Sequence, residues 1–281
     1  MATLYMKPDN GISGDMVAGL LFALGASEET ITSVMESLSF HNHGIAVKKV
    51  EKRHGENVVM ATDYTSLVHE ENSEEHEHPY DNDHPYNHEH SHNHRHSHEH
   101  EHRTLQEVRD IIRQADMTET ARERAYKIYD IIGAAEGKAH GLPVDEVHFH
   151  EVGEKDSIMD ILAVAAALDD LGIDVIRYTS PGEGSGTVMC RHGELPIPVP
   201  AVQNILDAYR IEIHSNGLMG EFITPTGAAI LAAFGTEVEE TELLEQFGAG
   251  KSHESGADMS YFYGSGKREY DGLSVLGGFI R

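Results

Sequence analysis

The chain has 281 residues, 39% of them hydrophobic, with a formal net charge of -27, which repels phosphate backbones and anionic lipid and so excludes nucleic acid and the membrane as partners, while it gathers cations. That length suffices for one large domain or two small ones. Cys190 is the only cysteine, which excludes an internal disulfide and predicts a reducing cytoplasm, and neither a membrane span of roughly 20 apolar residues nor a signal-peptide pattern is present.

Thr3 to Met6 reads as a short strand. Lys7-Pro8-Asp9-Asn10-Gly11-Ile12-Ser13-Gly14-Asp15-Met16 then makes a polar turn into a helix that Ser13 can cap and Gly25 ends. Its N–H groups can face an anion or simply close a strand-turn-helix unit, since the spacing is not that of a P-loop. Ser27 is placed to cap a second helix to Leu38. Gly44 to Lys52 and Asn57 to Tyr64 predict two antiparallel strands around Arg53-His54-Gly55-Glu56.

Ser66 to Arg103 breaks the pattern. Of the chain's 21 histidines, 12 lie from His69 to His102, interleaved with Glu, Asp, Asn and Ser. Such a segment cannot offset its ordering entropy by apolar burial, so residues 66–103 are expected to be a disordered insertion between folded parts at 1–65 and 104–281. Neutral imidazoles on an acidic tether form sites for Ni, Cu, Zn or Co, among which affinity alone does not select. The plainer reading is a solvated linker of accidental composition.

Thr104-Leu105-Gln106-Glu107 is a capping box that restarts helical structure. A further helix from Thr118 to about Ala139 carries Ala121, Ala125, Ile128, Tyr129, Ile132 and Ala135 at core spacing, and His140 is expected to cap its C-terminus. After Gly141-Leu142-Pro143 comes His148-Phe149-His150-Glu151-Val152-Gly153, where an extended backbone would put both imidazoles on one face and Phe149 and Glu151 on the other. Asp156 or Ser157 can cap the helix proposed by Ile158 to Leu171. Imidazoles beside carboxylates suit a borderline divalent metal such as nickel, zinc or cobalt; the alternative is a strand end with hydrogen-bonded histidines.

Val175 to Thr179 predicts a strand. The glycine-rich loop from Ser180 to Thr187 either holds an anion or turns sharply. Cys190 and His192 would share a strand face, and Pro196, Pro198 and Pro200 hold the chain extended before a helix from Ala201 to Ala208. Thr226 is the expected cap of the next helix, with Thr224 binding either a ligand or the turn. Phe247 to Gly250 and Leu273 to Ile280 read as strands. Alternating helix and strand patterns give a mixed α/β class, with helices packed on mixed sheets.

Asn10-Gly-Ile-Ser-Gly-Asp15-Met16, His148-Phe-His-Glu-Val-Gly, Asp156-Ser-Ile-Met-Asp160, Gly184-Ser-Gly, Cys190-Arg-His192-Gly, Leu195-Pro-Ile-Pro-Val-Pro-Ala and Thr224-Pro-Thr-Gly-Ala-Ala, in that order, resemble the LarC family. The resemblance implies a nickel insertase that loads Ni²⁺ into pyridinium bisthiocarboxylate mononucleotide, giving the pincer cofactor of lactate racemase, with CTP hydrolysis. Family members usually have an acidic residue where Lys7 stands and an aromatic one near Asp9. They also have a C-terminal domain to which CTP and its Mn²⁺ or Mg²⁺ are assigned, so the chain resembles the N-terminal half, and a separately encoded C-terminal half, lactate racemase and further copies of this chain are the implied partners.

On this reading His148, His150, Glu151, Asp160, Cys190 and His192 are the metal-side residues. Asp15, Glu151 and Asp156 are the groups acting in the transfer. Gly184, Ser185, Gly186 and Thr224 contact the phosphate of the substrate. Two other readings remain at this point: a nickel store or metallochaperone working through the insertion, and a metal hydrolase, for which no nucleophile-base pair stands out.

Overall fold

The computed structural model describes residues 2–39, 43–54, 57–68, 103–249, 261–265 and 275–281. The expected insertion from His69 to His102 lies outside the described residues. The first half comprises β1 (Ala2–Lys7), α1 (Gly14–Ala23), α2 (Glu28–Glu36), β2 (His43–His54), β3 (Asn57–Val68), β4 (Arg103–Thr104), α3 (Leu105–Gln114), α4 (Glu119–His140), β5 (His148–Phe149) and α5 (Lys155–Asp170). The second half comprises β6 (Ile173–Tyr178), β7 (Gly182–Ser185), β8 (Thr187–Cys190), β9 (Gly193–Pro196), α6 (Pro200–Tyr209), β10 (His214–Met219), α7 (Pro225–Phe234), β11 (Gly235–Glu237), α8 (Glu240–Ala249), β12 (Phe262–Ser265) and β13 (Val275–Ile280).

The class is mixed α/β. Seven strands form one mixed sheet in the order β11-β6-β1-β13-β12-β3-β2, with β1 parallel to β6 and antiparallel to β13. Strand alternation sorts β1: Leu4 and Met6 enter the main core, while Tyr5 faces the opposite side, stacked on Phe279 at 4.9 Å. Leu243 and Phe247, four residues apart on α8, cover that second face. Phe247 and its neighbours are therefore helical, not the strand expected.

Helices α1 and α5 are apolar nearly all round and lie in the interior. Every residue from Ile158 to Leu168 is buried, and each fully buried Leu or Ile there contributes about 1.5–3 kcal/mol. α1 passes so close to the sheet that a Cβ on Gly264 of β12 would lie 2.0 Å from the Leu20 nitrogen.

Side-chain caps set several helix starts. Ser27 accepts from Thr30 N–H, Thr118 accepts from Ala121 N–H, and Thr104 and Glu107 form the reciprocal capping box. Two boundaries differ from the sequence reading. β3 continues through the buried Ser66 to Val68, and the buried Arg103 opens β4, because both stretches find strand partners in β2 and β5.

Candidate metal centre

Four helices begin at one cavity of about 530 Å³. Its wall includes Ser13, Gly14 and Asp15 at α1, Asp156, Ser157 and Asp160 at α5, Pro200 and Ala201 at α6, and Thr224, Pro225 and Thr226 at α7. The starts of α1 and α7 are tied together: Ile12 N–H bonds Phe222 O at 2.9 Å, and Thr224 N–H bonds Ile12 O at 3.1 Å. Gly11, at φ 86°, permits this crossing, since a Cβ there would meet Phe222 O at 2.1 Å.

Asp15, Asp156 and Asp160 form an acidic wall. Asp15 accepts from Met16 N–H at 3.0 Å and from the Ser13 hydroxyl, and Asp156 accepts from Ser157 N–H at 2.8 Å. Ser13 thus occupies the cap position of α1 but gives its hydroxyl to Asp15. The buried Tyr64 hydroxyl is held well above its ordinary range, first by burial and then by the charges of Asp160, Asp15 and Asp156.

The opposite wall is built on Phe149. This ring is fully buried and stacks on Tyr129, whose hydroxyl donates to Val152 O at 3.1 Å, while Arg103 donates to Gly153 O at 2.6 Å. The chain leaves the extended conformation at His150 (φ -94°, ψ -91°) and enters a 3₁₀ turn over Glu151–Gly153. His150 and His148 are therefore not related by strand alternation. His148 is exposed beside Glu107, outside the imidazole group.

His150 instead joins two rings from other elements. His140 is the last residue of α4, and Gly141 ends that helix in the left-handed conformation, its N–H bonding Gly137 O. The His140 ring lies 6.0 Å from that of His150 and 4.9 Å from that of His192, while His150 and His192 are 4.3 Å apart. His192 sits at the tip of the β8–β9 hairpin with Cys190, whose sulfur is 3.9 Å from His192 Nδ1. Arg191 fixes this tip: its N–H donates to Glu151 Oε1 at 3.1 Å and its guanidinium pairs with Glu154.

Two ligand sets result. One is His140, His150 and His192; the other is Glu151, Cys190 and His192; within each, the ligand atoms lie within 4.8 Å of one another. Imidazole, carboxylate and thiolate suit Ni²⁺, Zn²⁺ or Co²⁺. Glu136 stands behind His140, 3.5 Å from its Nε2, with its carboxyl pushed up to about 7 by burial and by the charge of Glu151. The histidine cluster also adjoins the C-terminal, electronegative end of α4, which favours a bound cation.

The sequence comparisons agree with this chemistry. A family model described as nickel insertion protein matches residues 4–260. The chain belongs to the nickel insertion protein family. It is 36% identical over 234 residues to the pyridinium-3,5-bisthiocarboxylic acid mononucleotide nickel insertion protein of Alkaliphilus metalliredigens, covering 83% of this chain and 52% of that protein. The proteins of the same name in Geobacillus kaustophilus (36% identity, 82% of this chain, 50% of that protein) and Akkermansia muciniphila (34%, 85% and 52%) are similar too. The chain thus spans about half the length of these curated relatives. No solved structure matches it.

Within this nickel insertion family member, the expected site residues divide. His150, Glu151, Cys190 and His192 come together, and Asp15, Asp156 and Asp160 line the same cavity outside both ligand sets. Thr224 also lines it, but its hydroxyl caps α7 by accepting from Gly227 N–H at 3.2 Å. Gly184, Ser185 and Gly186 are not on the wall. Gly184 and Ser185 belong to β7, paired with β10, where a Cβ on Gly184 would meet Gly220 O at 2.1 Å; the glycines serve close packing. From the sequence His140 was expected to cap α4 rather than to be a ligand, whereas Gly141 ends the helix and His140 joins the imidazole set, with Glu136 one turn before it on the same helical face.

Proposed function

We propose that this chain is the nickel-handling part of an insertase that loads Ni²⁺ into pyridinium-3,5-bisthiocarboxylic acid mononucleotide, the product serving lactate racemase. The observation that carries the reading is one cavity with a metal-ligating wall facing a wall of helix starts. The chemistry of the substrate matches both. α6 and α7 begin with Pro200 and Pro225 and carry no acidic residue in their first turns, so their positive ends suit the phosphate. Asp15, Asp156 and Asp160 suit the cationic pyridinium ring. The thiocarboxylate groups then face the imidazole and thiol ligands, which exchange more readily than a closed thiolate cage.

CTP and its Mn²⁺ or Mg²⁺ are assigned to a C-terminal half acting with this chain. A cytoplasmic setting is part of the proposal and rests on the single cysteine; among the described residues no helix is long and apolar enough to cross a membrane. The test is to combine the chain, the mononucleotide, Ni²⁺, CTP and Mn²⁺ with the C-terminal half in trans, and to weigh the nucleotide by mass spectrometry. Nickel incorporation that requires this chain is expected. Tight nickel binding without incorporation would overturn the reading in favour of storage by the 12 imidazoles between His69 and His102.

A further inference from the structure

The two ligand sets share one residue. His192 belongs to both, at the tip of a hairpin, while the remaining ligands arrive from the end of α4 (His140), from the backbone bend at residues 150–151 (His150, Glu151) and from the same hairpin (Cys190). The sets also differ at one residue in how they meet the cavity. Glu151, Cys190 and His192 line the cavity, as His140 does, whereas His150 is not on its wall.

We infer that nickel moves between these sets by pivoting on His192, entering on His140, His150 and His192 and leaving for its acceptor from Glu151, Cys190 and His192. The inference rests on the proposed function for the identity of the ion as nickel, and on the geometry alone for the two sets. The exchange replaces His150, the one ligand off the cavity wall, so that every ligand then lines the cavity, and His192 remains bound throughout, so the ion is never released to water. The order follows ligand softness. Three neutral imidazoles hold a borderline dication, and a thiolate is the ligand type nearest to a sulfur-bearing acceptor.

The exchange balances without an outside reactant. The Cys190 thiol, which donates to Gly193 O at 3.3 Å, must lose its proton to bind; the half-buried sulfur passes it to water as the Ni–S bond forms. The two imidazoles leave as neutral bases, and nickel stays divalent. Arg191 N–H holds Glu151 Oε1 in place, so the carboxylate is oriented toward the hairpin before the ion reaches it.

The single cysteine makes the test possible on the full chain. A thiolate-to-metal charge-transfer band in the near ultraviolet can come only from Cys190, because the histidine-rich stretch contains no sulfur. The chain is titrated with Ni²⁺, and with Co²⁺ as a second probe, and the band is followed in four variants whose fold is checked by circular dichroism. The parent protein and His140→Ala should both show the band, His140→Ala at undiminished or greater intensity. Cys190→Ser should abolish it. His192→Ala and His192→Asn should abolish it or raise its half-saturation concentration about tenfold or more, since even outer partners of a metal command that factor.

A parent protein without the band would overturn the inference. So would a His192 variant with the parent's titration, or a loss of the band in His140→Ala equal to that in His192→Ala, which would mean one mixed set. Failure of the insertion assay with this pattern intact would instead remove the proposed function and leave the two sets standing.

Discussion

The carboxylate of Glu183 on β7 accepts a hydrogen bond from the backbone N–H of Phe222 at 2.7 Å, and so holds the loop that precedes α7 against the cavity. The same side chain accepts from Ile223 N–H at 3.3 Å and from Gly184 N–H at 2.8 Å, with only 2% of the residue exposed. Glu183→Ala strands these donors in the interior, and we expect a loss of about 2–4 kcal/mol in chemical denaturation, since each buried unpaired donor costs about 1–3 kcal/mol. Burial raises the Glu183 pKa above the ordinary 4.5, outweighing the N–H bonds that lower it. The folded state therefore binds the proton more tightly than the unfolded one. Its contribution is fully present below about 4.5 and is lost as pH rises through the raised folded value, so the parent protein should lose stability relative to Glu183→Gln over that rise. A pH-independent difference between the two would contradict the assignment.

Much of this was legible in the sequence. Caps at Ser27 and Thr104 and the antiparallel pairing of β2 with β3 rest on local chemistry, so residue type alone reports them, whereas the cap expected of Thr226 is made by Thr224 and α5 starts at Lys155, before the Asp156 and Ser157 expected to cap it. The metal cluster was half legible. Cys190 and His192 are two residues apart, but His140 and His150 reach them only through the turn at Phe149 and the end of α4, which are tertiary facts. Strand periodicity misplaced His148 because β5 stops after two residues and the chain bends at His150, bringing Gly153 so close to Phe149 that a Cβ on it would lie 2.8 Å from that of Phe149. Phe247, read as strand, lies instead on α8, where the face it shares with Leu243 packs on the second side of the sheet.

Thr224 offers a separation of roles. Its hydroxyl caps α7, so Thr224→Ala should cost about 1 kcal/mol in thermal or chemical denaturation, while Thr224→Ser, which keeps the acceptor, should cost only a few tenths. Equal stability of all three proteins would show that the hydroxyl serves something other than the helix.

At Gly264 the packing of α1 on the sheet leaves no room for a side chain. The added Cβ of Gly264→Ala would meet Leu20 N at 2.0 Å, Met16 O at 2.3 Å and Gly19 C at 2.7 Å, all backbone atoms that cannot swing aside. We expect a loss of about 3 kcal/mol or more, at the upper end for overpacked cores, read as a fall in denaturation midpoint or in soluble yield. Gly25→Ala is a control at a glycine with open space around its Cβ, where only its positive φ of 106° resists the change.

The 12 imidazoles from His69 to His102 outnumber the three of the folded cluster, so they should account for most of the nickel bound per chain. Deleting residues 69–102 should lower the stoichiometry by several ions, counted by equilibrium dialysis, and leave the Cys190 charge-transfer band in place. Bound nickel in the full chain should also fall as pH drops through about 6.5, because protonated imidazole cannot ligate. Full capacity retained near pH 5 would point to the carboxylates as the ligands.

His148 and His150 give the sharpest contrast, because the two residues differ in chain position by only two and in environment completely. His150 lies 4.3 Å from His192, whereas His148 is exposed near Glu107 and outside both ligand sets. In the protein lacking residues 69–102, calorimetric titration with Ni²⁺ should show His150→Ala weakening the remaining tight site about tenfold or more, while His148→Ala leaves it unchanged. Phe149→Ala should act differently again. It removes a fully buried ring that stacks on Tyr129, costing about 3–5 kcal/mol of stability, and nickel affinity should fall with it because the bend that presents His150 and Glu151 is lost. Equal loss of affinity in the two histidine variants would bring His148 into the nickel site and contradict the ligand set of His140, His150 and His192.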